Sequence, residues 1–115
     1  MAKVKFVLLL PLTYNDGSRV PKDIMDRIEA DLFVLAGGYT IAGTGKGAYR
    51  MRNGSKQIDE TLQMWVVVDE DDESALRELV AGIGEVLGQQ SMYFERTTST
   101  VEFVASTPLG GSSHE

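Results

Sequence analysis

The chain has 115 residues, with 11 Lys and Arg against 17 Asp and Glu, a net charge of −6; it is the size of one domain and lacks the basic balance that nucleic-acid or anionic-membrane binding needs. It has no cysteine and one histidine, His114, which removes disulfide frameworks, thiolate metal sites, cysteine nucleophiles and Ser-His-Asp triads. A hydrophobic share of 43% is that of an ordinary globular domain.

Val4, Phe6, Leu8 and Leu10 alternate with Lys5, Val7 and Leu9, which predicts a buried first strand. Two lysines ahead of the apolar run Phe6 to Leu12 resemble the start of a signal peptide. However, Asn15-Asp16-Gly17 stands where a cleavage site should be, and the run is far short of the roughly 20 residues that span a bilayer. A cytoplasmic protein is the expectation. Tyr14 to Ser18 is dense in turn formers and ends the strand. Pro21 fits the first helical position, and Ile24, Met25, Ile28, Leu32 and Leu35 then recur at helical spacing, with charged residues on the other side. Gly37-Gly38 closes that helix with a left-handed residue.

Residues 39–68 read as a long antiparallel pair. Tyr39-Thr40-Ile41 opens one arm, Leu62 to Val68 is a strong strand in the other, and Asn53-Gly54 between them suits a type I′ hairpin turn. The first arm is too long for a flat strand, so Gly43, Gly45 and Gly47 predict bulges or a bend. The acidic run Asp69 to Glu73 leads into a second helix, where it complements the positive helix end. Leu76, Leu79, Val80, Ile83 and Leu87 form the apolar stripe of that helix, and Gly88 is its cap. Ser91 to Glu95 starts a final strand. Val101 to Val104 either continues it or pairs with it after a turn at residues 98–100.

The order β-α-β-β-α-β predicts an α+β, ferredoxin-like split β-α-β fold, with a four-stranded antiparallel sheet and both helices on one face. Residues 1–105 form the domain and 106–115 a flexible tail. Apolar and aromatic residues on both faces of Met64 to Val68 call for cover on the open side of the sheet, and a second copy of the chain supplies it, so a homo-oligomer is expected.

Candidate chemistry is sparse. Gly43-Thr44-Gly45-Lys46-Gly47 has glycine amides and a lysine but lies inside a hairpin rather than at a strand-to-helix turn, so a bulged strand is the better reading. Lys46, Arg50, Arg52 and Lys56 make the one basic patch. Arg50 and Arg52 share strand parity and either clamp an anionic ligand or pair with Asp59 and Glu60. Tyr39, Tyr49, Trp65 and Tyr93 are amphipathic aromatics on predicted strands, with Arg50, Gln89 and Glu95 near them in sequence. They line a ligand pocket on the open face or form an oligomer core. The acids from Glu60 to Glu73 have no EF-hand spacing, and no metal or cofactor is expected. Glu95, alone among strand-like apolar neighbours, does not make a catalytic carboxylate pair.

Asn15-Asp16-Gly17, Gly38-Tyr39-Thr40 and Leu87-Gly88-Gln89-Gln90-Ser91-Met92-Tyr93 resemble a family of small uncharacterised bacterial proteins. In that family Gly, an aromatic residue and Thr follow the first helix, and a Gly-Gln pair enters the last strand. The resemblance spans about residues 3–104 and implies a ferredoxin-like domain without an assigned activity. The reading is a non-catalytic ligand-binding or interaction module that self-associates through its sheet, with Tyr39, Arg50, Arg52, Trp65, Tyr93 and Glu95 as its candidate ligand residues. The alternatives are a small dimeric α/β-barrel-type enzyme for a compact anionic or aromatic substrate, and a structural subunit with no cavity.

Overall fold

A computed structural model describes residues 2–109. Its elements are β1 (Lys3–Pro11), α1 (Lys22–Ala36), β2 (Thr40–Arg50), β3 (Lys56–Asp69), a 3-10 turn (Glu70–Asp72), α2 (Glu73–Val86) and β4 (Tyr93–Arg96). The strands lie in the order β2-β3-β1-β4, each antiparallel to its neighbour. Both helices cover one face, which is the ferredoxin-like α+β arrangement expected. His114 and residues 110–115 of the expected tail lie outside the described residues.

The strand period of two decides which face is core. Val4, Phe6, Leu8 and Leu10 of β1 stand opposite Val68, Val66, Met64 and Leu62 of β3. All but the half-buried Leu62 are buried, against Ile28 and Leu32 of α1 and Leu76, Val80 and Ile83 of α2. Each such side chain contributes about 1.5–3 kcal/mol by leaving water. Phe94 of β4 adds its ring to this face, stacked on Phe6 with centroids 4.7 Å apart. Outside that layer, Arg96 reaches both Glu70 and Glu73, tying the last strand to the start of α2.

Two connections use one device. In Tyr14 to Ser18 the Gly17 N–H donates to the Tyr14 carbonyl, and Gly17 adopts φ 88°. In Met51 to Ser55 the Gly54 N–H donates to the Met51 carbonyl, and Gly54 adopts φ 87°. Asp16 and Asn53 then each accept the N–H and hydroxyl of the serine two residues on. These are three-residue loops, a tight turn followed by a left-handed glycine. The hairpin tip therefore sits where Asn53-Gly54 placed it but is not type I′, which would need positive φ at Asn53 as well. Such values occur only at glycines among the described residues.

The helix ends differ from expectation by one position at the start and none at the finish. Pro21 is the cap of α1 rather than its first residue, and its carbonyl accepts from Ile24 and Met25. Gly37, at φ 78°, closes the helix. After α2 the Gly88 N–H bonds the Glu85 carbonyl and the Gln89 N–H bonds that of Gly84, the paired bonds of a Schellman cap. Beyond β4 the chain bends and returns to the same edge, where Val101 bridges Lys3. Extending the β4 register would put residue 99 there, so residues 97–100 are a bulge of two extra residues within one interrupted edge, rather than a turn or a straight continuation.

Candidate functional site

Cross-strand partners share a face, so the face away from the helices is set by register. It carries Lys5, Val7 and Leu9 of β1, Gln57 to Trp65 at odd positions of β3, and Tyr93 and Glu95 of β4. On β2 a bulge between Ile41 and Gly43 resets the parity. Thr40 stands opposite Trp65, and Gly43, Gly45, Gly47 and Tyr49 stand opposite Gln63, Thr61, Asp59 and Gln57. Beyond the bulge, three successive inward positions of β2 therefore carry no side chain.

The consequence is curvature. β2 and β4 are the two outer strands of the sheet, yet Tyr49 and Tyr93 line one cleft of about 500 Å³ with Leu9, Pro11, Asp59 and Thr61. The end of β2 near the hairpin tip and the start of β4 thus border one cleft on the open face. An added Cβ on Gly47 would lie 2.5 Å from the Tyr49 hydroxyl and 2.8 Å from its ring, so the ring occupies the space the glycine leaves. Asp59 and Thr61 become the buried polar residues of the fold, 8% and 7% exposed.

The other wall is built by loop chemistry. The Schellman cap fixes Gly88 and Gln89, and Asn15 donates to the Gly88 carbonyl at 3.1 Å while accepting from Gln89 at 3.4 Å. The two walls are thus held by the left-handed glycines of three separate connections. Tyr93 donates its hydroxyl to Glu95 at 2.9 Å, and this bond, then the partial burial and the nearby carboxylate charge, raise the phenol above its usual pKa.

The six candidate ligand residues are dispersed. Tyr93 and Arg50 line the cleft. Glu95 stands beside it through its bond to Tyr93. Arg52 lines a shallower depression at the hairpin tip with Asn53 and Ser55. Trp65 lies further along the open face, where the Lys5 ammonium sits 3.7 Å from its ring centroid. Tyr39 is on the helix side of the bulge, donating to Glu29 of α1 at 2.7 Å. The expected pairing of the basic arm with Asp59 and Glu60 is not what forms. Glu60 pairs with Arg19, and Asp59 accepts only from Gln57, at 3.1 Å.

Gln57 and Asp59 complete the cleft without having stood out in sequence as its ligands, and Tyr49, one of the four strand aromatics, joins them. Their signal was the Gly-x-Gly-x-Gly alternation, which marks a strand face cleared for close approach. No group of three or more metal-ligating side chains occurs among the described residues. No helix among them is long and apolar enough to cross a membrane.

No protein-family model matches the sequence, and no curated protein matches it. Solved structures do share the fold. A phage SAM lyase in complex with S-methyl-5'-thioadenosine is 14% identical, with a TM-score of 0.61 over 84% of this chain and 81% of its own. The stable protein CutA1 from the psychrotrophic bacterium Shewanella sp. SIB1 is 18% identical, with a TM-score of 0.65 over 89% and 85%. The divalent cation tolerance protein from Thermus thermophilus is 14% identical, with a TM-score of 0.59 over 88% and 87%. At these identities the likeness is one of fold.

Proposed function

We propose that the chain is a non-catalytic binding domain that takes a small molecule with a flat ring into the cleft, and that it works as a homo-oligomer assembled through its sheet. The observation that carries the first part is the meeting of Tyr49 and Tyr93, from opposite edges of the sheet, on one cleft of about 500 Å³. That volume is in the range of small-molecule sites, and two phenol rings with a few amides and one carboxylate are the usual mix of apolar wall and orienting polar groups. A nucleoside has the matching shape and chemistry, and the phage lyase of like fold is in complex with one.

Self-association is supported by β2. It is an outer strand, exposed along nearly its whole length, and Ile41 and Ile58 beside it are about half exposed. Long bare edges of this kind are covered in working proteins. The enzyme alternative is weaker on one point: Tyr39, Arg50, Trp65, Tyr93 and Glu95 do not converge on one cavity.

Native mass spectrometry of gently purified protein, beside its denatured mass, tests both parts. An oligomer with added small-molecule mass is expected. Melting-temperature shifts with adenosine and S-methyl-5'-thioadenosine then follow, lost in Tyr49→Ala and Tyr93→Ala. A bare monomer that responds to neither compound overturns the proposal.

A further inference from the structure

The cleft contains a carboxylate that the chain itself leaves without a counter-charge. Asp59 is 8% exposed, faces the cleft, and among the described residues receives a single hydrogen bond, from the neutral amide of Gln57 at 3.1 Å. Among the described residues the ion pairs engage Asp26, Glu60, Asp69, Glu70 and Glu73, and none engages Asp59. Its other oxygen has no partner within the described residues and is not closed off from the cleft, so a cationic group there could pair with its charge in place of water. Arg50 also lines the cleft, but it stands opposite Lys56, at the next position along β2 from Tyr49, so the strand alternation directs it away from the face that Asp59 and Tyr49 share.

Two further features select for positive charge. Tyr49 and Tyr93 line the same cleft, and aromatic faces attract organic cations once water is displaced. The second phenol is itself bonded to a carboxylate, that of Glu95, which places a second anion at its hydroxyl.

We propose that Asp59 anchors the ligand of this cleft and that the ligand carries an organic cation, an amine or onium group, seated against the Asp59 carboxylate between the Tyr49 and Tyr93 rings. This rests on the reading of the cleft as a small-molecule site, and narrows its ligand to a charged class.

The probes are choline and its uncharged carbon analogue 3,3-dimethylbutan-1-ol, with adenosine as a flat neutral control, added to the full-length protein and followed by amide chemical shifts. Choline is expected to move the signals of residues around Asp59 and to bind about tenfold more tightly than the carbon analogue. In Asp59→Asn, which keeps the side-chain shape and its neighbour Gln57, most of that preference is expected to be lost, leaving what the two rings and Glu95 supply. Equal binding of the pair to the unmodified protein, or a preference undiminished in an Asp59→Asn variant with an otherwise unchanged spectrum, overturns the proposal. If adenosine moves cleft signals and choline does not, the cation is wrong and the cleft reading stands. If none of the three does, both fall.

Discussion

The ring of Tyr49 lies over Gly47, with its hydroxyl 2.5 Å from the point where an added Cβ would stand. Gly47 has no positive φ, so alanine suits its backbone and the conflict is purely one of space. Gly47→Ala is therefore expected to push the Tyr49 ring out of the cleft. Because Tyr49 is about half exposed, the ring has somewhere to go, and stability should change by no more than about 1 kcal/mol. Ligand-induced melting shifts should be lost. In a Tyr49→Ala background the same glycine substitution should have no further effect, and a double-mutant cycle measures that coupling.

The Tyr93–Glu95 bond sets a pH dependence. The phenol is raised above its usual 10.0, first by its hydrogen bond to Glu95. The protonated phenol is the donor, so the bond's contribution is complete below that usual value and is lost as pH climbs through the raised one. Glu95→Gln should return the Tyr93 ionisation toward 10.0. A spectrophotometric phenol titration reads it, and an unchanged midpoint in Glu95→Gln would remove the bond from the account.

Asp16 and Asn53 hold twin loops, but only one of the two titrates. Asp16 is held below its usual 3.8 by its hydrogen bonds from the Ser18 hydroxyl and N–H. A lowered carboxyl contributes above its unfolded pKa and loses that contribution as pH falls through the folded one. Acid should therefore release the Ser18 amide while leaving Ser55, bonded to the uncharged Asn53, in place. Amide shifts of the two serines followed down in pH give the comparison. Since Asn15 of the titrating loop holds Gly88, the cleft wall should loosen with it, and the Asp16→Asn variant should resist.

These cases show which features could be read before the fold was known. Core parity in Val4 to Leu10 was legible because a strand has a period of two and one buried face. The helix ends were legible at Gly37 and Gly88 because only glycine enters the left-handed region without strain. The grouping of Tyr39 with Tyr93 could not be tested by parity. The bulge at Ala42 separates the face of Tyr39, just ahead of β2, from that of Tyr49 within it, although both are odd positions along one arm of the hairpin, and a one-residue insertion leaves no unique mark on composition. Nor does any local pattern report that β2 and β4 line one cleft. That arrangement depends on the course of a hairpin whose inner face on β2 carries three glycines. The hairpin tip was located correctly and typed wrongly for a related reason, since turn type follows from which flanking residues pair, here Met51 with Ser55.

Core and surface phenylalanines should separate cleanly. Phe6 is fully buried and stacked on Phe94, so Phe6→Ala is expected to cost about 3–5 kcal/mol. Phe33 of α1 is 57% exposed, and Phe33→Ala should stay within about 0.5 kcal/mol. Denaturant midpoints at constant slope measure both. A large loss at Phe33 would mean that this face of α1 is covered in the working protein.

The same logic locates the assembly surface. Ile41 and Ile58 are 49% and 53% exposed and stand near the bare edge of the sheet, Ile41 at the start of β2 opposite Met64 and Ile58 toward the hairpin tip opposite Ala48. Neither belongs to the core cluster, so a charged replacement removes no packing within one copy. Ile41→Glu with Ile58→Glu should therefore leave the melting cooperativity of the isolated chain unchanged. If copies associate through this edge, the same pair of changes buries two unpaired charges in the contact and should convert the oligomer to a monomer. Light scattering across a dilution series reads the mass, and the cleft probes read whether binding goes with it. Loss of assembly with binding retained would mean that each copy carries a complete cleft. Loss of both would mean that the neighbouring copy closes it. An oligomer that survives the double change would move the contact to the open sheet face around Trp65, where the ring is 38% exposed under Lys5.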